Sequence, residues 1–356
     1  MTTFSLCMIV KNEAAVLERC LDSIADLMDE IIIVDTGSSD HTKQIAARFT
    51  DKIYDYTWID DFADARNFAF SKASMDYIYS ADADEVLDKV NHDRLATLKE
   101  AMLPEIEMVQ MYYVTPPQYN TTANFIREYR PKLFRRLRTF TWIDPVHETV
   151  RLSPVVFDSD IEITHLPQNL HSGRDFDLFQ KIFHKNGALS EKLHSMYAKE
   201  LFISGKPEDF ADAAGCFGAT LEQENATDSM RREAICVLAR NARNQKKSDT
   251  FFLLAFRLIH ENPCAELCYE IGRYFMDQSE YGEAVRWLEM ALSSEAVIDI
   301  HCSGSLPLSA LADCYDAAAK ETEQEPHSDP ALLESFRSLA DDYRRQAAEW
   351  SMPSEA

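Results

Sequence analysis

What the chain lacks narrows the choices first. Its longest apolar run, Phe251-Phe252-Leu253-Leu254-Ala255-Phe256, falls far short of the roughly 20 residues that a helical bilayer span requires. Met1-Thr2-Thr3-Phe4 has no basic region followed by an apolar one, so no secretory signal is expected. Positive charge is scarce: 36 Lys and Arg stand against 60 Asp and Glu, a net −24 that argues against nucleic acid or an anionic membrane as a general partner. The eight cysteines show no metal-finger spacing, and Cys7, Cys20 and Cys236 lie inside apolar segments, where a thiol is a small hydrophobe. Cys264 and Cys268, four apart on an expected helix, read as core residues. A reducing cytoplasm is the expected location, which leaves the sequons at Asn120 and Asn225 silent. After the first strand there is only Lys11-Asn12-Glu13 and no Gly-rich, Arg-containing loop, which disfavours a nucleotidyltransferase.

What is present is ordinary globular material, 46% hydrophobic and 27% charged over 356 residues, enough for two or three domains. Phe4 to Val10 and Ile31 to Val34 read as buried strands, with further strands near Lys52–Tyr56 and Tyr77–Ala81 and helices between them. The first helix is expected to carry a Leu17, Leu21, Ile24 and Met28 stripe with Asn12 as cap; Ser39 or Asp40 is expected to cap the second. Such alternation predicts a parallel, doubly wound sheet, whose ligands bind at the carboxyl ends of its strands. Lys11-Asn12-Glu13, Asp35-Thr36-Gly37, Asp61 and Asp82-Ala83-Asp84 all fall at those ends. In the last of these, two carboxylates one residue apart can face the same way and offer hard oxygen donors to Mg²⁺ or Mn²⁺.

These stretches carry a resemblance. Leu6-Cys-Met-Ile-Val-Lys-Asn-Glu13, Ile31-Ile-Ile-Val-Asp-Thr-Gly-Ser-Ser-Asp40, Asp60-Asp-Phe-Ala-Asp-Ala-Arg-Asn67 and Asp82-Ala-Asp-Glu85 resemble, in order and spacing, family 2 glycosyltransferases of GT-A fold. The resemblance covers roughly the first 170 residues and departs mildly at Ala81, where relatives place a larger apolar side chain. It continues through Leu133-Phe-Arg135, His147-Glu148 and Ile163-Thr-His165. It implies a metal-dependent, inverting hexosyltransferase with a nucleotide-sugar donor, a UDP-sugar first, and a hydroxyl or thiol acceptor.

The resemblance also implies roles. Asp84 is the expected metal ligand, with Asp82 on the ribose or the ion's waters, and the ion acts as a Lewis acid on the leaving diphosphate. Asp35 stands where the family recognises the base or ribose, Val10 and Glu13 where it forms the nucleotide pocket, and His165 where some enzymes of this fold add a third ligand. From chemistry alone, Arg66 can clamp phosphate or fix a carboxylate. An inverting reaction needs a base near the acceptor, for which Glu148 is the first choice and His147 the second. The arginines at 127, 130, 135, 136 and 138 are read mainly as alternating residues on a wet strand face, and the stretch 116–129 as a long loop.

From about Arg174 the pattern is helical throughout. Leu267-Cys-Tyr-Glu-Ile-Gly272, Tyr274, Tyr281-Gly-Glu-Ala-Val285, Trp287-Leu288 and Ala291-Leu292 resemble a tetratricopeptide repeat, with further copies near 196, 230 and 305. The expected organisation is a GT-A α/β domain over 1–172, doubly wound and mainly parallel, then an all-α repeat domain of about four helical pairs over 173–356. Such repeats either cover the enzyme domain or receive a polypeptide or protein acceptor. The rival reading is a non-catalytic scaffold with a degenerate nucleotide-sugar domain.

Overall fold

The computed structural model describes residues 2–115, 127–138, 140–147, 149–150, 154–166, 172–259, 263–324 and 329–350. The chain divides into two units, Met1–His171 and Ser172–Ala356.

In the first unit the apolar runs become strands covered on both faces. Along β1 (Phe4–Val10) the side chains of Phe4, Leu6, Met8 and Val10 enter one core cluster, while Cys7 enters the other. β2 (Glu30–Asp35) pairs parallel to β1 and divides its side chains the same way, Ile31 and Ile33 against Ile32 and Val34. Between them the chain forms only a short helix, α1 (Leu17–Asp22), and then a 3₁₀ turn, Ala25–Leu27. Asn12 does not cap it. With φ 58°, Asn12 instead receives a hydrogen bond from the Ser39 amide on its side-chain oxygen, tying the first loop to the second. α2 (Thr42–Ala46), β3 (Ile53–Asp55), α3 (Phe62–Lys72) and β4 (Tyr77–Ala81) follow. Asp61 caps α3 by accepting from the Asp64 amide, and Asp40 accepts from the Thr42 and Ala14 amides.

After β4 come β5 (Glu85–Val86), α4 (Lys89–Ala101), β6 (Met108–Val114), β7 (Arg127–Arg135), β8 (Trp142–Ile143), β9 (Thr149–Val150) and β10 (Val156–His165). Eight strands form one sheet in the order β3-β2-β1-β4-β7-β6-β10-β5, and β8 and β9 make a separate ribbon. β7 is antiparallel to β4 and β6, so the doubly wound parallel part is the β3-β2-β1-β4 half. The sheet must curl. In a flat sheet β4 and β5 would be four strand spacings apart, about 19 Å. The short link from Ala81 to Glu85 reaches only about 14 Å. Curling carries β10 and β5 around toward the end of β4 and hangs the link over β7.

The second unit holds α5 (Ser172–Asn186), α6 (Glu191–Ser204), α7 (Pro207–Glu222), α8 (Asp228–Asn244), α9 (Ser248–Ala255), α10 (Ala265–Asp277), α11 (Tyr281–Leu292), α12 (Ser305–Gln324) and α13 (Pro330–Glu349). From α6 onward the helices come in pairs that begin at Glu191, Asp228, Ala265 and Ser305, a repeat of 37 to 40 residues. The pairs are fastened by apolar contacts, such as the Phe251 ring stacked on Tyr274 at 5.2 Å. At Gly272 the helices come so close that a Cβ would lie 2.8 Å from the Leu288 side chain, which is why the pattern has glycine there. All eight cysteines are free thiols buried in the cores of the two units.

Candidate functional site

One edge of the sheet gathers the polar residues because β1, β2 and β4 run the same way and end together. Val10 sits opposite Asp35 and Met8 opposite Ala81, which sets Asp35 and Asp82 on either side of the end of β1. β6 and β10 are parallel to each other and bring Val114 and His165 to the same edge. β7 enters there antiparallel, delivering Arg130 and Lys132.

Asp82 is held by Arg66, whose guanidinium donates to its carboxylate at 3.0 Å and to the Ser80 hydroxyl at 3.0 Å while lying over the Trp142 ring. Burial works against the charge of Asp82, but Arg66 and Lys132 outweigh it and hold the carboxyl well below the usual range. Arg66 thus fixes a carboxylate rather than standing open for phosphate. The following Glu85 is buried and forms an ion pair with the equally buried Lys132, which also donates to the Ser80 carbonyl at 3.4 Å. Burial pushes Glu85 up to about 7 against the pull of Lys132, with Asp82 adding to the rise. A buried pair of this kind costs desolvation, so it signals a fixed arrangement more than a gain in stability. It pins the acidic turn to β7.

Asp84 accepts from His165 Nε2 at 3.0 Å, and the Leu166 amide donates to the Asp84 carbonyl at 2.9 Å. Nδ1 of His165 lies 3.5 Å from the Thr115 hydroxyl, and its ring is 5.0 Å from that of Tyr113, which orients it. Two carboxylates and an imidazole make a donor set suited to Mg²⁺ or Mn²⁺. Among the described residues, however, no three His, Cys, Asp or Glu side chains converge closely enough to hold a metal ion. Asp84 and His165 meet at 3.0 Å while Asp82 turns to Arg66, so the donors are chemically fit but only two of the three are drawn together.

Asp35 is almost wholly buried, and its Oδ1 accepts from the Gly37 and Ser38 amides at 3.0 and 2.9 Å. Gly37, at φ +103°, makes that turn. Burial works against the charge, but these hydrogen bonds, with Lys43 at 3.6 Å, outweigh it and lower the carboxyl. Its Oδ2 is buried and has no hydrogen-bond partner among the described residues. Such an oxygen is an acceptor waiting for a donor. Val10 contributes differently from the expectation: its side chain is in the core, and its carbonyl accepts from Thr36. The Glu13 amide donates to the Thr42 hydroxyl at 2.8 Å, closing the first loop on the start of α2.

Of the two residues weighed as bases, Glu148 lies outside the described residues, and His147 is present with φ 50° and a buried Nε2. The carbonyl of nearby Pro145 accepts from the Phe62 amide, seating this loop against the start of α3. Four of the six described non-glycine residues with positive φ, Asn12, Asp60, Asp144 and His147, lie in loops of this unit around the same elements. Left-handed backbone at non-glycine residues is costly and concentrates where geometry serves a site. Sequence reading missed Lys132, Glu85, Tyr113 and Trp142 as parts of the arrangement. The sequence offered little signal, since Lys132 is one charge among several along Arg127–Arg135 and only its neighbours Leu133 and Phe134 hint at burial. Three of the five arginines are ion-paired while staying partly exposed: Arg127 with Glu162 at 2.8 Å, Arg130 with Glu128 at 2.5 Å and Arg138 with Glu107 at 2.7 Å. Arg135 and Arg136 donate to the backbone carbonyls of Pro104 and Met75. β7 begins at Arg127, inside the stretch expected to be loop, and 116–126 lie outside the described residues.

Residues 5–150 match the family model described as glycosyl transferase family 2. A TPR repeat-containing protein of Synechococcus elongatus is 49% identical over 87 residues, 24% of this chain and 22% of that protein. An uncharacterized glycosyltransferase of Rickettsia felis is 27% identical over 221 residues, 58% of this chain and 72% of that protein. The chain therefore spans about a fifth of the length of the first of these relatives. Among solved structures, glucosyl-3-phosphoglycerate synthase from Mycobacterium tuberculosis, in complex with Mn²⁺, UDP and phosphoglyceric acid, gives a TM-score of 0.41 at 17% identity over 53% of this chain and 80% of that one. No described helix is long and apolar enough to cross a membrane. The unit Met1–His171 carries a glycosyltransferase domain of family 2.

Proposed function

We propose that the chain moves a sugar from a UDP-sugar to a nucleophilic hydroxyl or thiol, inverting the anomeric centre, and that its repeat unit receives a polypeptide acceptor. The observation that carries the donor part is the buried, unpartnered Asp35 Oδ2 at the end of β2, across the end of β1 from the acidic turn. An N–H of the base or a ribose hydroxyl satisfies that oxygen, and a nucleoside lying there directs its diphosphate toward Asp82 and Asp84.

Asp84 and His165 would hold a divalent ion, with Asp82 meeting the ribose or the ion's waters, and the bound ion supplies positive charge to the departing diphosphate. Arg66 keeps Asp82 ionised and oriented, and Lys132 with Glu85 keeps the turn in place. Glu148, or else His147, takes the proton from the acceptor as its oxygen or sulfur attacks the sugar carbon and the bond to the diphosphate breaks. The scaffold reading is disfavoured because Asp35, Arg66–Asp82 and Asp84–His165 are all retained with specific partners.

The test is release of UDP from UDP-glucose and UDP-N-acetylglucosamine in the presence of Mn²⁺. Turnover of one donor, abolished in Asp84→Ala and slowed in Glu148→Gln without loss of donor binding, is the expected result. Full activity of Glu148→Gln would move the base to His147, and full activity of Asp84→Ala would remove the metal assignment.

A further inference from the structure

The unit Ser172–Ala356 contains a recess of about 470 Å³, counting its open mouth, walled by three successive helical pairs. α6 supplies Ser195 and Lys199, α8 supplies Ser229, Arg232 and Glu233, and the segment after α11 supplies Val297 and Ile298. Glu233 is buried, and protein groups occupy both of its oxygens. His194 Nδ1 lies 2.7 Å from Oε2, and the Ser195 and Ser229 hydroxyls donate to Oε1 at 2.7 and 3.3 Å.

The two cations are left over. Lys199 and Arg232 are half-buried, and neither makes a hydrogen bond or ion pair with any described residue. Glu200, beside Lys199 in sequence, is pushed up to about 7 by burial and by Asp175, so it answers that charge only in part. In a chain of net charge −24, unpaired cations converging on one recess call for an anionic occupant. The other walls say what kind. Ser195 and Ser229 spend their protons on Glu233, which leaves hydroxyl lone pairs able to accept from an N–H. Val297 and Ile298 offer apolar surface. Anionic oxygen, N–H donor and hydrocarbon occur together in an acidic residue of a peptide, whereas a bare phosphate satisfies only the first.

We infer that this recess binds an acidic residue of an extended polypeptide, with the side-chain carboxylate between Lys199 and Arg232, a backbone N–H on a serine hydroxyl oxygen and the hydrocarbon against Val297 and Ile298. This deepens the reading that the repeat unit receives a polypeptide, and it does not depend on the donor assignment.

The test uses the full chain and the capped peptide Ala-Val-Glu-Val-Ala, titrated by NMR at low and high salt. The expected result is binding that weakens in high salt, as contacts to exposed charge do. Replacing the peptide's glutamate by glutamine, or making the double variant K199A/R232A, is expected to weaken it about tenfold or more. The charge-conserving K199R/R232K should keep the affinity within about threefold, which separates a charge effect from damage to the helices. UDP binding in K199A/R232A should be unchanged, so failure here and failure of the donor reading are told apart. Absence of peptide binding to the native chain, equal binding by K199A/R232A, or inorganic phosphate competing as tightly as the peptide binds would each overturn the inference.

Discussion

Strand β2 carries a buried carboxylate at each end, and the protein treats the two in opposite ways. Glu30, at the amino end, is saturated. Lys52 and the Ser74 hydroxyl donate to one oxygen at 2.6 and 3.0 Å, while the Ser74 amide, at 2.8 Å, and the Ser5 hydroxyl donate to the other. Asp35, at the carboxyl end, has one oxygen tied to its own turn and the other buried without a partner among the described residues. The same chemistry thus serves two purposes along one strand. A satisfied carboxylate fastens Ser5, Lys52 and Ser74 across the sheet, and an unsatisfied one leaves a free acceptor, which under the proposed function the nucleoside fills.

Substitutions can break or sharpen that contrast. The largest effect is expected at Asp84: Asp84→Ala should weaken Mn²⁺-dependent UDP binding by more than the ~10–100-fold that loss of a supporting group costs, with the melting temperature little changed. Glu30→Gln should do the reverse. It removes the charge of a buried carboxylate whose partner Lys52 is half-exposed, and is expected to cost about 2 kcal/mol, a fall of roughly 4–8 °C in Tm for a unit of this size, with UDP affinity untouched. Asp35→Asn should weaken UDP about tenfold, the worth of one hydrogen bond to a charged group, and shift the melting point little.

Acid should expose the same difference. Burial raises the Glu30 carboxyl, but Lys52, Ser5 and Ser74 outweigh it and hold it at about 2, against an ordinary value of 4.5. A depressed carboxyl contributes stability fully above the ordinary value and loses it as pH falls toward the folded one. The stability gap between the native chain and Glu30→Gln, measured by urea unfolding, should therefore narrow as pH falls from 4.5 toward 2. A constant gap would show that the contribution of Glu30 is not electrostatic. The smallest effect is expected at Gly272, where Gly272→Ala pushes a methyl into Leu288 and should cost about 1–3 kcal/mol in the repeat unit without touching UDP binding.

Much of this arrangement was legible in the sequence. Continuous apolar runs such as Ile31-Ile32-Ile33-Val34 can be buried only in a sheet covered on both faces, and the polar residues that end them must then share an edge. The helical pairs were legible for the same reason, since small residues such as Gly272 recur where helices touch. The antiparallel entry of β7 was not, because a strand's direction is fixed by pairing and leaves little trace in side-chain periodicity. Arg66 was read as either a phosphate clamp or a carboxylate holder, and its partner Asp82 became visible only once the end of β4 was set beside α3. Lys132 and Glu85 were hidden because each is an ordinary surface residue type, and only the curl of the sheet brings them together away from water. Asn12 was read as a helix cap because its local sequence suits one; the demand of the second loop for its side-chain oxygen prevailed.

The central claim is that the carboxyl edge of the sheet takes a nucleoside diphosphate with a divalent ion. The direct measurement is calorimetric titration of UDP, GDP and TDP into the protein with Mn²⁺, repeated after EDTA. Binding of UDP that disappears with the metal, and is about tenfold weaker in Asp35→Asn, is the predicted result. UDP binding indifferent to EDTA and to Asp35, or no binding of any of the three, would contradict the account.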